Sequence, residues 1–65
     1  MQIILNGEPR DVHATLLPDI LNELGFGDAR VATAVNEEFV AIGVRGNLTL
    51  KDGDRLEVVA PMQGG

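Results

Sequence analysis

Apolar and polar positions alternate from the first residue: Met1, Ile3 and Leu5 fall on one side, Gln2 and Ile4 on the other. A period of two belongs to a strand with one buried face, so residues 1–5 are predicted to be a strand. Asn6-Gly7 follows, a strong hairpin signal, because a type I′ turn needs positive φ at both central residues. Glu8 to His13 would be the return strand, with Val12 pointing inward. Pro9 has no N–H to donate, which places this strand at a sheet edge.

Between Thr15 and Leu24 the period changes. Leu17, Leu21 and Leu24 lie at i, i+4 and i+7, with Leu16 and Ile20 beside them, which makes one helical apolar stripe. Thr15 is the expected N-cap. Pro18 fits the first turn, where N–H groups have no intrahelical partner, and Asp19 lies near the positive end of the dipole. Gly25 fits the left-handed position after the helix, with Phe26 packing back on Leu21.

A loop over 27–30 leads to a third strand, Val31 to Val35. Asn36-Glu37 is a turn, and Glu38 to Ala41 a short fourth strand carrying Phe39 and Val40. Residues 42–50, with Gly43 and Gly46, read as an irregular surface loop anchored by Leu48 or Leu50. Asp52-Gly53 is a second good turn signal. Arg55 to Ala60 is the last strand, with Leu56 and Val58 inward and Arg55, Glu57 and Val59 outward.

Hairpin, helix, strand, short strand, strand is an α+β order. If the first and last strands pair in parallel at the centre, one helix can cover one face of a mixed four- to five-stranded sheet. That is a β-grasp arrangement with a single core. The central placement is topological inference, because periodicity does not carry it.

Composition narrows the function classes. With 65 residues there is one domain at most. A chain of this size buries roughly 60% of the surface its unfolded form exposes, which leaves no room for a deep catalytic cleft. It has no cysteine, which removes disulfides, thiolate metal sites and a cysteine nucleophile. A single histidine, His13, argues against a histidine metal cluster. Net charge is −5, from Lys+Arg 5 against Asp+Glu 10, which argues against nucleic acid as the main partner and suits docking on basic surfaces. No stretch is long and apolar enough for a membrane span, and the first residues lack a signal-peptide pattern; a cytoplasmic setting is the simplest expectation.

Pro61-Met62-Gln63-Gly64-Gly65 follow the last strand with no further turn or cap signal. The expected division is a domain over 1–60 and a flexible Gly-Gly tail over 61–65. Glycine lacks Cβ and costs the most entropy to order, so two of them beyond a last strand serve a fold little. A narrow channel in a second protein could use them. An ordinary frayed end is the competing explanation.

The chain resembles the ThiS family of sulfur carrier proteins, small ubiquitin-like proteins of thiamine biosynthesis, over essentially its whole length. The markers are Met1-Gln2-Ile3 with Asn6-Gly7-Glu8, the helix ending Glu23-Leu24-Gly25, and Ala34-Val35-Asn36 with Glu38. Lys51-Asp52-Gly53-Asp54 and the terminal Gly64-Gly65 complete the set. The stretch Ala41-Ile42-Gly43-Val44-Arg45 departs from the family, lacking the Pro-Arg pair and the Trp that many relatives have there, so family contacts of that loop are not carried over.

The resemblance implies a carrier rather than an enzyme. A ThiF-like adenylyltransferase would use ATP to make an acyl-adenylate on Gly65. Sulfur from a cysteine desulfurase or another donor would convert it to a thiocarboxylate, and a ThiG-like thiazole synthase would take that sulfur. Gly64, Gln63 and Met62 would occupy the partner's active site. The carrier itself would bind no cofactor. Ile4 and Val59, expected as neighbours on the helix-free face, would form an apolar docking patch with Met62, although isolated exposed apolar residues are also normal. Asp52, Asp54 and Glu57 fit either a basic partner or plain solubility. His13 reads as a bystander and Asn36 as a turn residue; Arg45 is a lesser candidate for a partner contact. The alternatives are a MoaD-like carrier of molybdopterin synthesis or another ubiquitin-like sulfur donor. From another class there is a TGS-like non-covalent binding module, which would not need a terminal Gly-Gly.

Overall fold

The computed structural model describes residues 1–27 and 30–60. β1 (Gln2–Leu5) turns at Asn6-Gly7 into β2 (Glu8–Asp11), and the two pair antiparallel. α1 (Leu17–Glu23) follows, then β3 (Ala32–Val35), β4 (Glu38–Val40), a single helical turn α2 (Ile42–Arg45) and β5 (Arg55–Val59). The sheet order is β2-β1-β5-β3-β4. β5 lies at the centre, parallel to β1 and antiparallel to β3, as the topological argument requires.

Alternation decides the buried face. Ile3 and Leu5 of β1, Leu56 and Val58 of β5, and Val40 of β4 point to the same core as Leu17, Ile20 and Leu21 of α1. Ile3, Leu17, Ile20 and Leu56 have no exposed surface at all. The expected helical stripe therefore meets the expected strand faces. Val12 is buried although β2 ends at Asp11: its N–H donates to the Met1 carbonyl, and the Met1 amino group donates to the Val12 carbonyl, both at 2.9 Å. All four residues of β2 are exposed, which suits the edge position that Pro9 indicates.

The α1 C-terminus closes as its sequence reads. Gly25 takes φ +94. Its N–H donates to the Asn22 carbonyl at 3.1 Å, and the Phe26 N–H reaches the Leu21 carbonyl at 2.8 Å. These are the two bonds of a Schellman end, which satisfy carbonyls left orphaned by the helix.

Two expectations are corrected. Thr15 does not cap α1. The N-cap is Leu16, with no side-chain cap bond, because the backbone of residues 48–50 does that work. The Leu17 N–H donates to the Leu48 carbonyl, and the Leu50 N–H donates to the Thr15 carbonyl, each at 2.8 Å. The loop over 42–50 is also not wholly irregular, since it begins with α2. That turn buries none of its residues, so it leaves no apolar period to read. Leu50 is buried and Leu48 half-buried, so both anchor the segment.

Candidate functional site

β5 carries the chain toward the residues that the sequence singles out. Met62, Gln63, Gly64 and Gly65 lie outside the described residues, and the site that the structure does describe is β5, which precedes them in the chain, with its surroundings.

An asparagine holds β5 on each flank. On the β1 side, the parallel ladder runs Ile4↔Arg55 and Leu5↔Leu56, and the Asn6 N–H adds a bond to the Leu56 carbonyl at 2.9 Å. The backbone then turns away at Asn6 (φ 48). The Asn6 side chain continues the ladder: Oδ1 accepts from the Val58 N–H at 2.9 Å, and Nδ2 donates to the Val58 carbonyl at 3.1 Å. On the β3 side, Asn36 (φ 50) does the same at the start of β5. Its N–H donates to the Arg55 carbonyl at 2.8 Å, its Oδ1 accepts from the Arg55 N–H at 3.0 Å, and its Nδ2 donates to Asp54 Oδ1 at 3.1 Å. A primary amide presents the donor and acceptor of a peptide group, so each asparagine stands in for a residue of the missing strand. The sequence identifies both as turn residues; it carries no sign that the Asn6 amide reaches a residue 52 positions away.

Two acidic residues are tuned by similar bonds. The Asp54 carboxylate accepts from the Lys51 N–H and from Asn36 Nδ2, and its pKa is held below the ordinary aspartate value, first by the backbone bond and then by the amide. Asp52 Oδ1 accepts from the Gln2 N–H at 2.8 Å. Glu23 accepts from the N–H groups of Ala14 and His13 at 2.8–3.0 Å, and those bonds, Ala14 first, hold its pKa below the usual glutamate value. His13 therefore enters through its backbone, as an anchor of the β2–α1 connection.

A depressed folded pKa gives a definite sign. The unfolded chain binds the proton more readily, so the stabilisation from Glu23 is complete above the ordinary glutamate value. It is lost as pH falls through the lower, folded value. Glu23→Gln is accordingly expected to lower the urea midpoint at neutral pH and to leave it nearly unchanged in strong acid. Equal loss at both ends of a pH series of urea titrations would count against this account.

Two exposed strand residues and one residue of α2 form an apolar surface. Val59, Phe39 and Ile42 are 64%, 74% and 70% exposed. With Ala32 between them they line a concavity of about 570 Å³, flanked by Arg30 and Arg45. Arg45 also reaches inward. Its Nε donates to the Thr33 hydroxyl at 3.1 Å and its Nη2 to the Val31 carbonyl, while the Thr33 hydroxyl donates to the Val40 carbonyl at 3.0 Å. Arg45 thus ties α2 to β3 and fixes one wall of the groove.

Ile4 and Val59 are not neighbours, contrary to expectation. Ile4 stands opposite Arg55, whereas Val59 stands opposite Ala32, four residues further along β5, about 13 Å at the rise of a strand. Ile4 is half-buried in a separate, smaller concavity with Gly7, Arg55 and Glu57. The parallel register of β1 and β5, which alternation cannot give, separates them. Phe39 and Ile42 are Val59's actual companions. Among the described residues no group of three or more His, Asp or Glu is placed to hold a metal ion, and no helix is long and apolar enough to cross a membrane.

A five-stranded mixed sheet with parallel central strands, one helix across one face and the last strand in the middle is a ubiquitin-like β-grasp fold. A solved structure of the thiamine biosynthesis protein ThiS from Geobacter metallireducens superimposes with a TM-score of 0.82, at 29% identity and full coverage of both chains. The model of the ThiS family matches residues 3–65. The sulfur carrier protein ThiS of Thermus thermophilus is 47% identical over 62 residues, which is 94% of this chain and 95% of that protein. A thiazole synthase of Paramagnetospirillum magneticum is 36% identical over 66 residues. That match takes in all of this chain but only 20% of the synthase. The chain belongs to the ThiS family of sulfur carrier proteins.

Proposed function

We propose that this chain carries sulfur as a thiocarboxylate on Gly65 and delivers it to a thiazole synthase. Residues 1–60 act as the handle that partners grip, and 61–65 as the arm that enters their active sites. The observation that carries the reading is the family match through residue 65, on a fold whose central strand runs directly into the tail.

A carboxylate is a poor electrophile. An adenylyltransferase of the ThiF type corrects this: a carboxylate oxygen of Gly65 attacks the α-phosphate of ATP and pyrophosphate leaves. A persulfide drawn from a cysteine desulfurase then attacks the acyl carbon and AMP leaves. A thiol supplies two electrons to break the S–S bond, which frees the thiocarboxylate. The acyl-adenylate hydrolyses if water reaches it, so the partner must enclose tail and nucleotide together. Gly64 and Gly65, without side chains, suit such a channel. The chemistry belongs in the cytoplasm, where ATP and desulfurase-borne sulfur are available.

The groove of Val59, Phe39 and Ile42 is the docking face for the synthase. The likeness of this whole chain to one fifth of a thiazole synthase supports that partner. A few well-packed residues near the centre of an interface carry most of its energy. Phe39→Asp and Val59→Asp are each expected to weaken synthase binding on the order of tenfold or more, a loss above about 1.4 kcal/mol. Ile4→Asp should do less. Titration calorimetry with the purified synthase checks this, and unchanged affinity in both groove variants would move the docking face elsewhere.

Intact mass spectrometry of protein isolated from its own cells tests the function itself. A form heavier by the difference between sulfur and oxygen, located on Gly65, is the expected result. A tail that is never modified, or that continues past Gly65 in the mature protein, would overturn the reading.

A further inference from the structure

We propose that Asn6 is a positioning residue for adenylation: its side-chain amide fixes the end of β5 and so sets the point and direction from which the reactive tail leaves the domain. This rests on the carrier reading above and adds a residue that lies far from the tail in sequence.

The two flanks of β5 differ. On the β3 side the ladder continues to the last residue, Ala32↔Val59. On the β1 side it stops at Leu5↔Leu56, because the chain turns at Asn6-Gly7. Beyond Leu56, among the described residues, that flank is held by the Asn6 amide, with its two bonds to Val58. Val58 is one residue from the end of β5 and three from residue 61. A strand bonded on one side only is a fraying edge. Without the amide, Val58 and Val59 gain freedom, and the tail is in effect lengthened by a segment that the partner must re-order. A misplacement of 1 Å at a reacting centre can cost on the order of 100-fold in rate, so the take-off point matters to an enzyme that must bring a carboxylate to ATP.

Asn36 supplies a matched control. It makes the same kind of amide clamp on β5, but at Arg55, the end remote from the tail. Both asparagines have positive φ, which glycine adopts without strain. Asn6→Gly and Asn36→Gly therefore remove the amides without forcing the turns.

The experiment uses the full chain with its adenylyltransferase and follows ATP–pyrophosphate exchange at saturating carrier, at a temperature where urea titration shows both variants folded. Asn6→Gly is expected to lower kcat about tenfold, with KM changing less. Asn36→Gly, at comparable loss of stability, should stay within about twofold. Hydrogen exchange at the Val58 amide should quicken at least tenfold in Asn6→Gly and change little in Asn36→Gly. The proposal is overturned if Asn6→Gly keeps its kcat, or if both variants lose it equally, since the effect would then be general stability. Should the parent chain itself fail to be adenylated, the carrier reading falls, and exchange at Val58 decides the clamp by itself: unchanged protection in Asn6→Gly refutes it.

Discussion

Gly65→Val is expected to abolish adenylation almost completely while leaving the fold intact. Valine adds a β-branched side chain next to the reacting carboxylate, in a channel that must already close around the tail and the nucleotide to keep water out. The residue lies beyond the last strand and takes no part in the described core, so urea midpoints should match the parent. Deleting Gly65 tests the same geometry from the other side. It withdraws the carboxylate by one residue, roughly 3.3–3.6 Å of extended chain, several times the misplacement that can cost on the order of 100-fold in rate. ATP–pyrophosphate exchange with the cognate adenylyltransferase measures both. Near-normal turnover in either variant would remove Gly65 from the chemistry.

Leu56→Ala is expected to have the largest effect on stability. Leu56 has no exposed surface and sits in the middle of the sheet, paired with Leu5 on one side and Val35 on the other. Large-to-small changes at such sites cost about 2–5 kcal/mol, because the lost transfer energy adds to that of the cavity left behind. A domain of this size has a total of only about 3–5 kcal/mol from its core. The variant should be largely unfolded, or close to it, at room temperature. If the folded body is what the adenylyltransferase grips, adenylation should fall with the folded fraction and recover wherever added stabilising osmolyte restores the fold. A urea midpoint close to the parent's would show that the neighbours collapse into the space.

The two variants separate the parts of the molecule. One should be folded and inert, the other chemically intact and unfolded. A carrier needs both halves: a group that another enzyme can modify, and a body rigid enough to hand it over.

Much of this was legible in the sequence, for local reasons. The alternation of Ile3 and Leu5, and of Leu56 and Val58, gave the buried faces, because a strand's side chains follow a period of two whatever it pairs with. The Leu17, Ile20 and Leu21 stripe gave the helix face, and Gly25 with Phe26 gave its end, since each depends on residues within one turn. Asn6-Gly7 located its turn through the φ angles that it demands. Residues 61–65 lie outside the described residues, so their role rests on the family match.

The tertiary structure decided what depends on residues distant in sequence. It paired β1 with β5 in a register that parts Ile4 from Val59 and gives Val59 the company of Phe39 and Ile42. It supplied the carbonyl of Leu48 to the start of α1, which made a cap by Thr15 unnecessary. And it brought the amide of Asn6 to Val58, turning a hairpin residue into a clamp on the strand that bears the tail. A sequence specifies its own torsions and faces locally; which strand lies beside which, and at what offset, is settled only when the whole core closes.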